Sequence, residues 1–296
     1  MSTQSTILVD RPSPAALRIS EPGGGMIKSI LFAVHDDDGL EPRLQAALSL
    51  ARACSAHLKL LHVVPVQAFT AVDTFGAAYM SGEIVEALQQ EADKIRGRIE
   101  DRLKLEDVSW TYEQTTSVIL AELLENAAFA DVVVMGREPH FHEFSQTGLS
   151  LLGQFICNSR NALFIPGDGK KMFDPFGKAV IAWNGSIEAA NAVRSAVGLL
   201  KMASEVSVVR FSEDKDVSLK DEELLQYLSR HDIHAQIETH LPKDGMANEL
   251  AAFASRHRAE YLVMGGYSHS RAGEFLFGGV TRDLLRNCAV SLVMAH

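Results

Sequence analysis

Two glycine-containing segments in the second half of the chain have the composition of an anion-binding loop. Residues 184–186 read Asn-Gly-Ser, and residues 265–281 contain the pair Gly278-Gly279 directly before an apolar helical stripe. Glycine lets the backbone approach a ligand closely, and the free amides at the start of a helix attract anions. His269 and Arg271 lie in the same stretch and would add charge-assisted donors. These residues predict a phosphate site, the alternative being that the glycines only shape tight turns.

Other kinds of site fit the sequence less well. The dinucleotide pattern G-x-G-x-x-G, the phosphate loop G-x-x-x-x-G-K-[ST], the G-x-S-x-G elbow and the H-E-x-x-H zinc helix are all absent. His35, His140 and His142, with Asp36 nearby, follow predicted strands and would suit zinc or nickel if they converged. The alternative is that these histidines are solvated loop residues, and we expect no metal.

Composition excludes several partners. The net charge of −10 argues against binding to nucleic acid, because nothing would neutralise the phosphates. No apolar run reaches the roughly 20 residues that a membrane-spanning helix needs.

The cysteines have no C-x-x-C spacing, which indicates reduced thiols. Residues 1–25 lack the continuous apolar stretch of a secretory signal, so we expect a disordered tail and a cytoplasmic protein.

The elements that position these segments occur twice. A strand signal at residues 30–34 precedes an apolar helical stripe, and the same order recurs over residues 179–200. Each copy later contains Ala, an acidic residue, three apolar or aromatic residues, Met and Gly, at residues 130–136 and 259–265. Strands that alternate with helices predict a parallel sheet in each copy. The first copy is longer, with an extra segment from about Pro65 and a charged helix that ends near Leu105.

The parallel sheet tells where a ligand would bind. In open parallel sheets, ligands bind beyond the carboxyl ends of the strands, where the winding reverses. The segments after the first and fourth strands of each copy therefore face one site. Ser186 is predicted to be the N-cap of the following helix. Trp183 either stacks on a base or packs in the core.

These features resemble the universal stress protein family. The resemblance rests on the strand order, on Met264-Gly265 after the fourth strand and on the glycines that follow. Nucleotide-binding members carry G-x-x-G, nine residues and then G-[ST]; here Gly265-x-x-Ser268 is followed, nine residues later, by Gly278-Gly279. The resemblance implies an α/β protein of two tandem Rossmann-like domains, each a five-stranded parallel sheet flanked by helices, which form a pseudo-dimer within one chain. The predicted divisions are a tail at 1–25, a first domain at 26–167, a linker at 168–177 and a second domain at 178–296.

The resemblance also implies a ligand, ATP or a related adenine nucleotide with Mg²⁺ as a companion ion, in the second domain. The implied contact residues are Ala182, Asn184, Met264, Gly265, Ser268, Arg271, Gly278, Gly279, Val280 and Thr281. Asn184 stands where ATP-binding members have an Asp that faces the base. Two positions depart from the family pattern, because Ser268 replaces a glycine and Gly279 replaces Ser or Thr.

The first domain has lost most of this motif, since Arg137 follows Gly136 and His35 stands at the position of Asn184. The resemblance implies no nucleotide there and an architectural role. It also implies that the last strands, 162–165 and 291–294, pair within one monomeric chain, with further self-association open. The expected function is a regulatory stress response with an unidentified protein partner and at most slow ATP hydrolysis. The alternatives are a nucleotide-independent interaction module and, more weakly, an adenine-nucleotide hydrolase, whose Ser-Gly-Gly-x-Asp-Ser-like loop is missing.

Overall fold

A computed structural model of the chain describes residues 27–65, 70–72, 78–80, 82–137, 151–167, 172–211, 219–241, 245–266 and 279–296. Several sequence predictions lie outside these ranges: those for the tail, for residues 168–171 of the linker, for His140 and His142, and for Ser268, His269, Arg271 and Gly278.

The first half contains a parallel five-stranded sheet. Its strands are β1 (Ser29–Ala33), β2 (His57–Pro65), β5 (Trp110–Ser117), β6 (Val132–Val134) and β7 (Ala162–Ile165). Its helices are α1 (Leu40–Cys54), α2 (Gly82–Leu103), α3 (Ile119–Ala127) and α4 (Leu151–Asn158). The strand order is β7-β6-β1-β2-β5, so the winding reverses between β1 and β6. The extra segment adds a separate antiparallel hairpin of β3 (Thr70–Val72) and β4 (Ala78–Met80).

The second half repeats this architecture without the hairpin. Its strands are β8 (Lys178–Ala182), β9 (Glu205–Phe211), β10 (Ala235–His240), β11 (Ala259–Gly265) and β12 (Ser291–Ala295). Its helices are α5 (Ile187–Leu200), α6 (Asp221–Arg230), α7 (Met246–Arg256) and α8 (Gly279–Asn287). The strand order is β12-β11-β8-β9-β10, and the winding reverses between β8 and β11.

The two sheets join edge to edge into one sheet of ten strands. β7 pairs with β12 antiparallel, and Phe164 lies opposite Val293 at the centre of this seam. An apolar edge strand left unpaired is an aggregation liability, and this pairing removes it from both halves. The predicted α/β fold and the pseudo-dimer within one chain are confirmed.

The sheet is covered on both faces, which explains its nearly continuous apolar strands. Val132–Val134 is fully buried, and the two core layers each contain residues of both halves. Tyr261 of β11 is buried, and its hydroxyl donates to the carbonyl oxygen of Leu199 in α5 at 2.9 Å. Phe173 packs against Phe164 with ring centroids 4.7 Å apart. Within the described ranges, no helix combines the length and apolarity needed to cross a membrane.

Candidate functional site

The second switch point, between the carboxyl ends of β8 and β11, contains a cavity of about 270 Å³. We call it the second cavity. Its described lining residues are Ala182, Trp183, Asn184, Ser186, Glu188, Ala189, Val209, Phe211, Met246, Leu250, Met264, Gly265, Val280 and Thr281. All the sequence-predicted site residues that the structure describes line this cavity except Gly279, which begins α8 beside it. The structure thus brings the two segments of the sequence motif together.

The turn from β8 into α5 is fixed by its own side chains. Ser186 is the N-cap of α5, and its hydroxyl oxygen accepts from the backbone N–H of Ala189 at 3.1 Å, as predicted. Gly185 has φ of 71°, a conformation that favours glycine. The side-chain oxygen of Asn184 accepts from the backbone N–H of Ser186 at 3.1 Å. Because that oxygen faces the turn, Asn184 presents its Nδ2 donor on the opposite side of the amide.

Gly265 brings the end of β11 against the start of α5. A Cβ at this position would lie 2.7 Å from the backbone nitrogen of Ala189 and 2.7 Å from the carbonyl carbon of Glu188. Contacts below 3 Å with backbone atoms cannot be relieved by a side-chain rotation, so this position requires glycine. The close approach sets the first turn of α5 beside the strand end and shapes the floor of the second cavity.

The first turn of α8 forms another wall. Val280 and Thr281 line the cavity, and Thr281 is buried. The first amides of a helix have no partner within the helix and form the positive end of its dipole. The second cavity therefore meets the amino-terminal turns of both α5 and α8, an arrangement suited to an anionic group.

The sequence did not single out the apolar wall of the cavity. Val209 and Phe211 come from the end of β9, and Met246 and Leu250 come from the first turns of α7. The signal was available, because β9 neighbours β8 in any sheet of this order and its last residues must flank the switch point. Glu188 was also missed, and among the described lining residues it is the one with a charged side chain.

Trp183 belongs to the core. Its side chain is 3% exposed, and its indole Nε1 donates to Oδ1 of Asp221 at 2.9 Å. The same carboxylate oxygen accepts from Arg210 at 2.8 Å. These bonds hold the indole among the buried residues, so the packing interpretation of Trp183 is supported over base stacking.

The first switch point, between β1 and β6, has a cavity of only about 60 Å³, which we call the first cavity. The buried guanidinium of Arg43 beneath it donates to Asp37 at 2.7 Å and to the carbonyl oxygen of His35 at 2.8 Å. A Cβ on Gly136 would lie 2.7 Å from Nη1 of Arg43, so the guanidinium packs directly on this glycine. In the second half Ala192 stands at the position of Arg43.

The described residues give no support to the alternative of a histidine metal cluster. His35 lies 3.9 Å from Asp37, measured from Nε2 to Oδ2. In the part of the chain that the structure describes, no three His, Cys, Asp or Glu side chains are arranged to hold a metal ion.

Comparisons with known proteins agree with the repeated architecture. The model of the universal stress protein family matches residues 26–155 and again residues 175–296. A universal stress protein from Archaeoglobus fulgidus DSM 4304 superimposes with a TM-score of 0.69 at 13% identity, covering 90% of this chain and 96% of that one. A putative universal stress protein from Pseudomonas aeruginosa UCBPP-PA14 gives a TM-score of 0.52 at 15% identity, covering 91% and 93%.

At these identities the solved structures establish the fold alone. A further universal stress protein was solved in complex with cAMP. It covers 47% of this chain with a TM-score of 0.31, and its ligand is a property of that protein. No curated protein sequence matches the chain significantly.

Proposed function

Because the chain belongs to the universal stress protein family, we propose that its second half binds ATP or a related adenine nucleotide in the second cavity. The observation that carries this proposal is the difference between the two switch points. The second opens into about 270 Å³, whereas the first encloses about 60 Å³ above the buried guanidinium of Arg43 and its ion pair with Asp37. We further propose that binding regulates contact with a protein partner in the cytoplasm.

The second cavity has one apolar side and one side with backbone amide donors, which match the base and the phosphates of a nucleotide. The side formed by Val209, Phe211, Met246 and Leu250 is apolar and suits a base. On the other side, the first turn of α8 supplies backbone amides for phosphate oxygens. This division supports a ligand with one apolar and one anionic end.

The charges of the cavity also bear on turnover. Glu188 is the one ionisable side chain among the described lining residues, and its carboxylate would disfavour bare phosphates without a cation such as Mg²⁺. Among the described lining residues, a single carboxylate makes a poor set of catalytic groups for phosphoryl transfer, which is mostly positioning and charge neutralisation. We therefore propose a regulatory site with at most slow hydrolysis.

The first test is to denature freshly purified protein, identify any released nucleotide by mass spectrometry, and titrate the protein with ATP in a calorimeter. We expect one nucleotide per chain. Asn184→Ala removes a polar group of the second cavity and should weaken binding about three- to tenfold. His35→Ala, at the equivalent position in the first half, is the matched control and should leave the affinity unchanged.

A different result would favour the alternative function. If no nucleotide is released and millimolar ATP gives no binding heat, the departures at Ser268 and Gly279 disable the site. The protein would then be an interaction module. If His35→Ala weakens binding as much as Asn184→Ala, the assignment to the second half is wrong.

A further inference from the structure

Helix α8 connects the second cavity to the first half of the chain. Its first turn lines the cavity with Val280 and Thr281. At its other end, Arg137 of the first half donates from Nη1 to the carbonyl oxygen of Cys288 and from Nη2 to that of Val290, the latter at 2.8 Å. A side chain from one half therefore closes the end of a helix that belongs to the site of the other half.

The chemistry of this contact favours a guanidinium. The last carbonyls of a helix have no partner within it and form the negative end of the helix dipole. Arg137 supplies a positive charge and two donors in a fixed fork, which match two carbonyl oxygens at once. The contact fixes both the end of α8 and the loop that leads into β12.

The equivalent loop of the first half is held differently. Asn161, directly before β7, donates to the carbonyl oxygens of Ala127 at 3.0 Å and Ala130 at 2.5 Å. Its side-chain oxygen accepts from the hydroxyl of Ser159 at 2.7 Å. The first half thus closes its own loop with its own side chains.

The second half lacks the residues that would make either contact, the one made by Asn161 or the one made by Arg137. Val290, directly before β12, stands where the first half has Asn161 and offers no side-chain donor. Gly266 follows Gly265 as Arg137 follows Gly136, so it stands at the equivalent position in the second half. As a glycine it has no side chain that could bind the loop before β7. A Cβ on Gly266 would also lie only 3.0 Å from Cγ2 of Ile156 in α4. We call the contact of Arg137 with the carbonyl oxygens of Cys288 and Val290 the clasp. It is made by a side chain of the first half on the backbone of the second half, and Gly266, at the equivalent position, cannot make the reverse contact.

We propose that Arg137 is a positioning residue for the site of the second half, and that the first half serves to hold α8 in place. Arg137 acts through α8 and lies at the end of the helix away from the second cavity. The inference rests on the proposed function for the identity of the ligand, while the clasp itself does not depend on it. It gives the half that lost its own motif a function in ligand binding.

Cys288 provides a readout that needs no nucleotide. Its side chain is 1% exposed, and burial raises the pKa of its thiol, so it reacts slowly with alkylating agents. Arg137→Ala removes a charge that lowers the pKa of this thiol, and this loss alone would slow its alkylation, so the faster iodoacetamide labelling of Cys288 that we expect, on the order of tenfold by mass spectrometry, would report a loosened loop. Arg52→Ala, which removes the ion pairs of α1 with Glu106 and Asp107, far from Cys288 in the chain, is the control and should leave that rate unchanged. Labelling of Cys54, buried in α1, should stay slow in every variant.

Nucleotide titration of the same variants tests the positioning itself. Arg137→Ala should weaken binding on the order of tenfold at unchanged stoichiometry. Arg137→Lys, which keeps the charge and one donor direction, should restore part of the affinity and part of the protection of Cys288. If Arg137→Ala does not fold, Arg137→Lys alone carries both measurements, with the same expected directions.

Each outcome decides between explanations. Unchanged labelling of Cys288 in Arg137→Ala overturns the clasp. Faster labelling with unchanged affinity shows a contact that does not position the site, and also overturns the proposal. If the wild-type protein binds no nucleotide, the proposed function fails, and the labelling result alone then shows whether Arg137 holds α8.

Discussion

Substituting Gly279 tests whether the second cavity receives phosphate at α8. Gly279 is the first residue of α8, and no described atom lies within 4 Å of the place where its Cβ would be. Its φ is outside the left-handed region, so a side chain can be added without backbone strain. Gly279→Ser therefore restores the hydroxyl that the family pattern has at this position, where no described atom would contact its Cβ.

The expected gain follows from the hydrogen bond. A hydrogen bond from a hydroxyl to a charged group contributes about 1.5–3 kcal/mol. Taking the lower value, Gly279→Ser should tighten ATP binding roughly tenfold in calorimetry. Gly279→Ala is the matched control, because both substitutions restrict the unfolded chain and should stabilise the fold by about 0.4–1 kcal/mol. Only the serine variant should change the affinity.

Two results would refute this reasoning. Equal affinities of the serine and alanine variants would show that no phosphate oxygen lies near the start of α8. Weaker binding by both variants would show that a bound ligand occupies the space beside Gly279, with its backbone rather than a hydroxyl as the contact. The nucleotide would then have to approach more closely than the family pattern implies.

Further predictions follow from contacts in both halves. Asn184→Asp exchanges the outward Nδ2 donor for an acceptor, and competition titrations should show a raised preference for ATP, whose base has an amine at C6, over GTP, whose base has a carbonyl oxygen there. Ser186→Ala removes the N-cap of α5 and should cost about 1 kcal/mol in urea unfolding. Arg43→Ala removes the buried guanidinium that pairs with Asp37 beneath the first cavity and should cost about 1.5–3 kcal/mol in urea unfolding, more than Arg52→Ala, whose guanidinium is 36% exposed; equal losses would contradict a stabilising role for the buried guanidinium. Burial lowers the pKa of His62, so stability should fall as the pH drops below about 6.5, and His62→Gln should flatten this dependence in unfolding at a series of pH values.

The repeat made most of the fold predictable. The spacing of apolar residues and the short apolar runs predicted the strands, and the recurrence of Met-Gly predicted the end of the fourth strand in each half. Ser186 as an N-cap was predictable because capping depends on residues only a few positions away. The seam was predicted from the resemblance, and the pairing of Phe164 with Val293 confirms it.

The contacts that distinguish the two halves were not predictable in this way. Arg43 sits in a regular helical pattern, and only the folded chain shows that its guanidinium packs on Gly136. Arg137 appeared in the sequence as a departure from the glycine motif. Its bonds to Cys288 and Val290 depend on two elements far apart in the chain, which no local pattern encodes.

The antiparallel seam between β7 and β12 has a consequence for how such a chain can change over time. In a pair of identical subunits related by a two-fold axis, every substitution occurs twice and faces its own copy. Here the two positions that follow the strand-end glycines are separate codons, and one encodes Arg137 while the other encodes Gly266. Covalent fusion therefore frees each side of the axis to specialise, so that one half can give up its pocket and keep a supporting role.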